Sequence, residues 1–251
     1  MVIKFKRMCT PFKEERMIHM YLPDNYDRSN QVYPVMYFFD GHNLFFDEDA
    51  TYGKSWGLKT FLDGWDKDII IVGIECSHHG NDRLSEYSPY DISNPYWGDI
   101  KGQGELTMDW IVNELKPYID DHYPTLTGRK YTGIAGSSMG GLMGVYAGIH
   151  YNQYFSKLGC ISSAIGMVWD DMYQEAINAS LDPDTKFYLD WGSEEAGDKN
   201  GLARATDHNL TIAHIITEKG AQAYPKIVVG GSHNEASWEK EVPIFMNYLW
   251  K

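Results

Sequence analysis

Short apolar runs alternate with longer segments of three-and-four apolar spacing along most of this chain, and that alternation restricts the fold more than any other feature. MIHMYLP and YPVMYFFDG read as strands flanking the turn-rich PDNYDRSN; DIIIVGIE, RKYTGIAG, KLGCISSA, KFYLDWG and PKIVVGG follow, each closing near glycine or serine. Between them ELTMDWIVNELKPYIDDHY, GLMGVYAGIHYNQ, VWDDMYQEAINAS, ARATDHNLTIAHIITEKG and the terminal WEKEVPIFMNYLW carry helical periodicity. Strands of near-continuous apolar character, each followed by a helix, predict an α/β fold: a mostly parallel central sheet with helices on both faces and an antiparallel start made by the first two runs. No repeat, low-complexity tract or linker divides the 251 residues, so a single catalytic domain over 1–251 is expected, with 43% hydrophobic residues to fill one sizeable core.

A formal net charge of -13, with no dense run of lysine or arginine, sets the protein's field against a nucleic-acid partner. The N-terminal MVIKFKRMCTPFKEER lacks the apolar core of a signal peptide, and no apolar run approaches the roughly 20 residues that span a bilayer. No membrane partner and a cytoplasmic location are therefore expected, while a homo-oligomer stays open. Cys9, Cys76 and Cys160 are odd in number, far apart and without a CxxC spacing, which predicts reduced, buried thiols rather than disulfides or a zinc knuckle.

In the stretch YTGIAGSSMGGLMGVYAG two serines stand side by side between a strand-like and a helix-like run. Gly136 and Gly140 bracket Ser138 as G-x-S-x-G, whereas the equivalent flanks of Ser137 are Ala135 and Met139. A serine on a sharp strand-to-helix turn needs neighbours without a Cβ, and its hydroxyl is then presented at a helix N-terminus, where N–H groups and the helix dipole favour developing negative charge. Ser138 is the candidate nucleophile.

A serine hydroxyl requires a base, and in this architecture the order along the chain is serine, acid, histidine. His208 and His214 lie within a helical run; His233 lies in the loop GGSHNEASW at the carboxyl end of a strand, where open α/β sheets collect their chemistry. The acid should leave the end of KFYLDWG, which places Glu194, Glu195 and Asp198 in the following loop and Asp190 less favourably within the strand. Spacing leaves Glu194 and Glu195 as alternatives. An oxyanion hole would take one backbone N–H from Met139 and a second from His42 in FFDGHNLF, with a catalytic or metal-binding role for the His42 side chain as the rival reading.

GSSMGG, DGHNLF, RLSEYSPY at residues 83 to 90, GQGELTMDWIVNELKPYIDDHYP and GGSHNEASW together resemble the putative-esterase branch of the α/β hydrolases, which includes esterase D, feruloyl and acetylxylan esterases, enterochelin esterases and the mycolyltransferases. The resemblance covers nearly the whole chain. It implies an α/β-hydrolase fold, a Ser138–Glu195–His233 triad with glutamate in place of the commoner aspartate, and oxyanion donors at His42 and Met139; no cofactor is expected. Asp40 matches a position that touches a substrate hydroxyl in the mycolyltransferases, with a structural role as an equal alternative.

Arg83, Glu86 and Tyr87 are expected to brace their loop through an internal ion pair. His78 and His79 read as a solvated loop and not a metal site, because adjacent histidines diverge and no carboxylate or cysteine stands at a useful helical spacing. Tyr52, Trp56, Tyr96, Trp97 and Trp169 are candidates to wall an aromatic or sugar pocket. The sum of these readings is a serine esterase acting through an acyl-enzyme on short-chain, acetyl or hydroxycinnamoyl esters, with a small molecule or carbohydrate as the alcohol. An acyltransferase or a non-catalytic binding relative is the alternative.

Overall fold

The computed structural model describes residues 1–26 and 30–251, so the middle of the predicted turn PDNYDRSN, residues 27–29, lies outside the described residues. In chain order the elements begin β1 Val2–Cys9, β2 Glu14–Tyr21, β3 Val35–Phe39, α1 Leu58–Asp63, β4 Ile70–Ile74 and α2 Asp82–Glu86. A small hairpin follows, β5 Ile92–Asn94 with β6 Gly98–Ile100, then α3 Gly104–Trp110, a π-turn at Ile111–Leu115 and α4 Lys116–His122. The chain closes with β7 Thr132–Ser137, α5 Met139–His150, β8 Lys157–Ile161, α6 Trp169–Asn178, β9 Lys186–Gly192, α7 Lys199–Glu218, β10 Gln222–Val228 and α8 Glu235–Trp250.

Eight strands form one sheet in the order β1-β2-β4-β3-β7-β8-β9-β10. β3, β4 and β7 to β10 run parallel, and β2 is antiparallel to both β1 and β4. This is the expected mostly parallel sheet with an antiparallel start, and the difference lies in the pairing. The first two predicted runs, now β2 and β3, are not neighbours, because β4 comes between them. The missing partner of β2 is β1, whose apolar residues are interrupted by Lys4, Lys6 and Arg7, so that it does not read as a buried strand. β10 starts three residues before the predicted PKIVVGG and forms the far edge, where Pro225 is tolerated because one side of the strand has no partner to receive an N–H. Helices α1 and α2 were not expected from periodicity; each is under two turns long.

Alternation along β3 divides the core into two layers. Val35, Tyr37 and Phe39 face the side covered by α3 to α7, packing with Ile111, Leu142 and Ile212. Met36 and Phe38 face α1 and α8, packing with Leu58, Trp238 and Phe245. With both faces covered, β3, β4 and β7 are buried along their whole lengths, which explains their uninterrupted small and apolar sequences. Connections leave β3 towards β4 on one side and β7 towards β8 on the other, so their carboxyl ends open a crevice at the point where the strand order reverses. The three cysteines are free and buried as expected, and burial pushes the Cys9 thiol up to about 12. No helix among the described residues is long and apolar enough to cross a membrane.

Candidate active site

β7 is flanked by β3 and β8 and is buried throughout, so its last residue is fixed on both sides before the chain turns into α5. Ser138 makes that turn with φ 58° and ψ -118°, a conformation that costs a non-glycine residue on the order of 1–3 kcal/mol. The surroundings over-determine it. Its N–H donates to the Ile161 carbonyl at 3.0 Å, and its carbonyl accepts from the N–H groups of Leu142 and Ala164, each at 3.0 Å. A Cβ on Gly136 would lie 2.9 Å from the Gly140 backbone, so the motif's first glycine is required for the close approach of strand and helix. Met139 is the first residue of α5, and its N–H has no acceptor within the helix. Ser137 completes β7 and is 5% exposed, while Ser138 is half-buried and lines a cleft of about 470 Å³.

The loops after β9 and β10 meet beside this cleft. A Cβ on Gly192 would lie 2.2 Å from the Gly231 carbonyl oxygen, so glycine lets the two loops touch. Ser193 N–H donates to Val228 O and Glu194 N–H to Gly231 O, both at 2.9 Å. Glu195 then points one oxygen at the imidazole: Oε2 lies 3.0 Å from His233 Nδ1. Its other oxygen, Oε1, accepts from Gly192 N–H at 2.7 Å and from Ser162 Oγ at 2.6 Å. Ser162 holds a left-handed backbone of φ 44° at the end of β8. Its hydroxyl accepts from Trp238 Nε1 at 2.8 Å, and the Trp238 ring packs edge-on against His233 at 5.2 Å.

The rival carboxylates are engaged elsewhere. Glu194 accepts from Ser232 Oγ at 3.4 Å, and Asp198 caps α7 by accepting from Gly201 N–H at 2.7 Å. Asp190 accepts from Ser162 N–H at 2.8 Å and leaves Oδ2 buried without a partner. Burial, with Glu241 and Glu195 adding repulsion, pushes its carboxyl up to about 7. His208 does not reach the site; it stacks on Trp169 at 3.9 Å. His233 and Ser138 line the same cleft.

The opposite wall is built by the loops after β3 and β4. Asp40 turns out of β3 with φ 57° and receives Arg83 in a two-pronged pair, Nε to Oδ1 at 2.7 Å and Nη2 to Oδ2 at 2.6 Å. Burial would raise the Asp40 carboxyl, but the Arg83 charge and hydrogen bonds outweigh it and hold the group below the usual carboxylate range. The expected brace therefore exists, with Asp40 as the partner of Arg83. Glu86 makes a separate buried pair with Arg16 and also accepts from Ser77 N–H at 3.1 Å.

His42 is the second residue of a short 3-10 turn, Gly41–Asn43, where an early N–H has no acceptor within the turn. Its ring is buried, with Nε2 2.9 Å from Thr51 Oγ1 and Nδ1 without a partner. The His78 ring stands edge-on to it at 4.9 Å, and His78 Nε2 lies 3.4 Å from Glu75 Oε2. The segment is a loop as expected, but the expectation that no carboxylate stands at a useful spacing fails: Glu75 is three positions before His78 and lies beside it.

The aromatic wall is also corrected. Tyr52 reaches the cleft, but Trp56 is core beneath Trp238, and Tyr96 and Trp97 are exposed on the β5–β6 hairpin. The lining is mainly polar, with Asp40, His42, Asn43, Thr51 and Ser77 among it. Sequence reasoning missed Ser162 and Trp238; the available signal was the Ser-Ser pair closing KLGCISSA at the end of the strand beside β7.

A family model described as "Putative esterase" matches residues 10–244. A Bacillus subtilis protein, YbbA, is 28% identical over 210 residues, covering 82% of this chain and 79% of its own. An esterase of Mycobacterium tuberculosis is 29% identical over 140 residues, which is 55% of this chain but 27% of that longer protein. Among solved structures, an IroE-like serine hydrolase from Shewanella oneidensis superposes with a TM-score of 0.78 at 19% identity, covering 99% of this chain and 80% of that one.

Proposed function

This chain belongs to the "Putative esterase" family and is a carboxylic ester hydrolase; from that premise we propose that it acts through a covalent acyl-enzyme on Ser138. The observation that carries the reading is the 3.0 Å contact between Glu195 and His233 Nδ1 in the cleft that Ser138 also lines. With Nδ1–H donated to Glu195, Nε2 is the basic nitrogen. It takes the Ser138 proton as Oγ bonds to the acyl carbon, then gives that proton to the alcohol oxygen as the ester C–O bond breaks. Water, activated by the same nitrogen, attacks the acyl carbon and releases the acid and Ser138. The backbone N–H groups of Met139 and His42 receive the oxyanion, assisted by the N-terminal dipole of α5.

The cleft supports small, polar esters. Its volume of about 470 Å³ and largely polar lining suit an acetyl or butyryl group, or a single hydroxycinnamoyl ring, on a hydroxylated alcohol such as a sugar. Tyr52 is an exposed aromatic of the lining placed to stack on a ring, a contact worth roughly 0.5–1.5 kcal/mol. Each further acyl methylene needs ~0.8 kcal/mol of apolar wall, and a cleft of about 470 Å³ runs out of wall for a long chain. A fluorophosphonate probe should label Ser138 and not the Ser138→Ala protein. Across p-nitrophenyl esters kcat/KM should fall once the chain passes about eight carbons; a rise towards palmitate would overturn the substrate class.

A further inference from the structure

His42 follows β3, Glu75 is the first residue after β4, and His78 lies three positions further on. One ring nitrogen from each histidine and one carboxylate oxygen lie within 4.8 Å of one another. We propose that His42, Glu75 and His78 bind one divalent transition-metal ion, zinc foremost, at the rim of the substrate cleft. Two imidazoles and one carboxylate form a borderline donor set that suits zinc over calcium or magnesium, with a fourth position left for water or a substrate oxygen. Tetrahedral zinc at about 2.1 Å from each donor needs donors about 3.4 Å apart. His78, whose side chain is 57% exposed, has the freedom to close that gap.

The surroundings of the three donors have the form of an outer shell. His42 is 5% exposed, yet Nδ1 is buried with no hydrogen-bond partner, an unpaired state that a buried polar atom rarely keeps. Its Nε2 is held by Thr51 Oγ1 at 2.9 Å, which orients the ring. Glu75 is oriented likewise: Oε1 lies 2.7 Å from His19 Nε2, while Oε2 faces His78. His19 is itself buried, and its Nδ1 is 4.0 Å from Asp49 Oδ2, an atom otherwise without a partner. His42 and His78 line the substrate cleft, and Glu75 with His78 lines the neighbouring pocket beside Cys76 and His79, so the three donors stand between the two spaces. None of this depends on the role of Ser138.

The test is calorimetric titration of chelator-treated protein with zinc, repeated with cobalt while the visible d–d bands are recorded. The intact protein should take one equivalent. His78→Ala removes a ligand from an exposed position without disturbing the core; it should weaken binding at least ~100-fold, beyond the 10–100-fold that loss of an outer-shell partner costs, and abolish the cobalt bands. His79→Ala and His233→Ala should bind as the intact protein does. The proposal is overturned if the intact protein takes up no zinc at sub-millimolar concentration, if His78→Ala binds within tenfold of it, or if His233→Ala is the variant that loses the ion.

Discussion

The two walls of the cleft are fixed by different means. On the β8–β10 side, Trp238, Ser162, Glu195 and His233 form a line of hydrogen bonds, each committing the next to one orientation. On the β3–β4 side, ion pairs and imidazoles hold loops: Arg83 on Asp40, Arg16 on Glu86, and Glu75 between His19 and His78. The first arrangement orients the His233 imidazole; the second sets shape and field. Perturbing the first should therefore cost turnover at near-constant fold, and perturbing the second should cost stability before it costs chemistry.

The largest expected effect is at the nucleophile and base. Ser138→Ala or His233→Ala should each lower kcat on the order of a million-fold, with the double variant little worse, since the two act as a unit. Near-normal turnover by Ser138→Ala together with loss in Ser137→Ala would reassign the nucleophile. Next comes the acid: Glu195→Gln should lower kcat by about 10⁴-fold, as loss of the partner that fixes the imidazole tautomer does elsewhere, and Glu194→Gln by no more than a few-fold. Matched kinetics with the reverse ranking would break the assignment.

These two steps also show how far the sequence reaches. Strand and helix alternation was legible because parallel strands buried on both faces leave near-continuous apolar runs, and Ser138 was legible because the elbow demands Gly136 and Gly140. His233 followed from chain order. Glu195 did not separate from Glu194 by spacing, because adjacent side chains diverge and the Gly192–Gly231 contact decides which one turns inward. Ser162 and Trp238 are 76 positions apart, so nothing local announces their bond. The aromatic wall failed for a related reason: Trp56 and Trp97 have similar local polarity, and tertiary placement sends one into the core and the other to a hairpin tip.

A smaller loss tests the line behind the acid. Ser162→Ala removes a hydrogen bond to a carboxylate, worth about 1.5–3 kcal/mol, and should lower kcat by roughly 10–100-fold with KM little changed. A change confined to thermal stability would mean that Ser162 serves packing alone. The smallest effect is a pH dependence. Asp190 keeps its proton in the folded protein up to about pH 7, whereas an unfolded aspartate loses it near pH 4. Over that interval the folded state binds more protons, so stability falls as pH rises. Asp190→Asn should remove this slope, and its Tm relative to the parent should increase by on the order of a few degrees between about pH 5 and about pH 8. A difference that is flat with pH would place the ionised carboxylate in the folded protein at all these values.

The contact between Gly192 and Gly231 makes the loops carrying Glu195 and His233 one mechanical part. A side chain at position 192 would drive the two loops apart and be felt at both residues at once. Inheritance through descendants of this chain is thereby channelled. The Glu195–His233 pair tolerates little local drift, while Tyr52 stands exposed at the cleft and outside the hydrogen-bond line. New substrates can be acquired there by ordinary surface substitution, with the Glu195–His233 pair carried along unchanged.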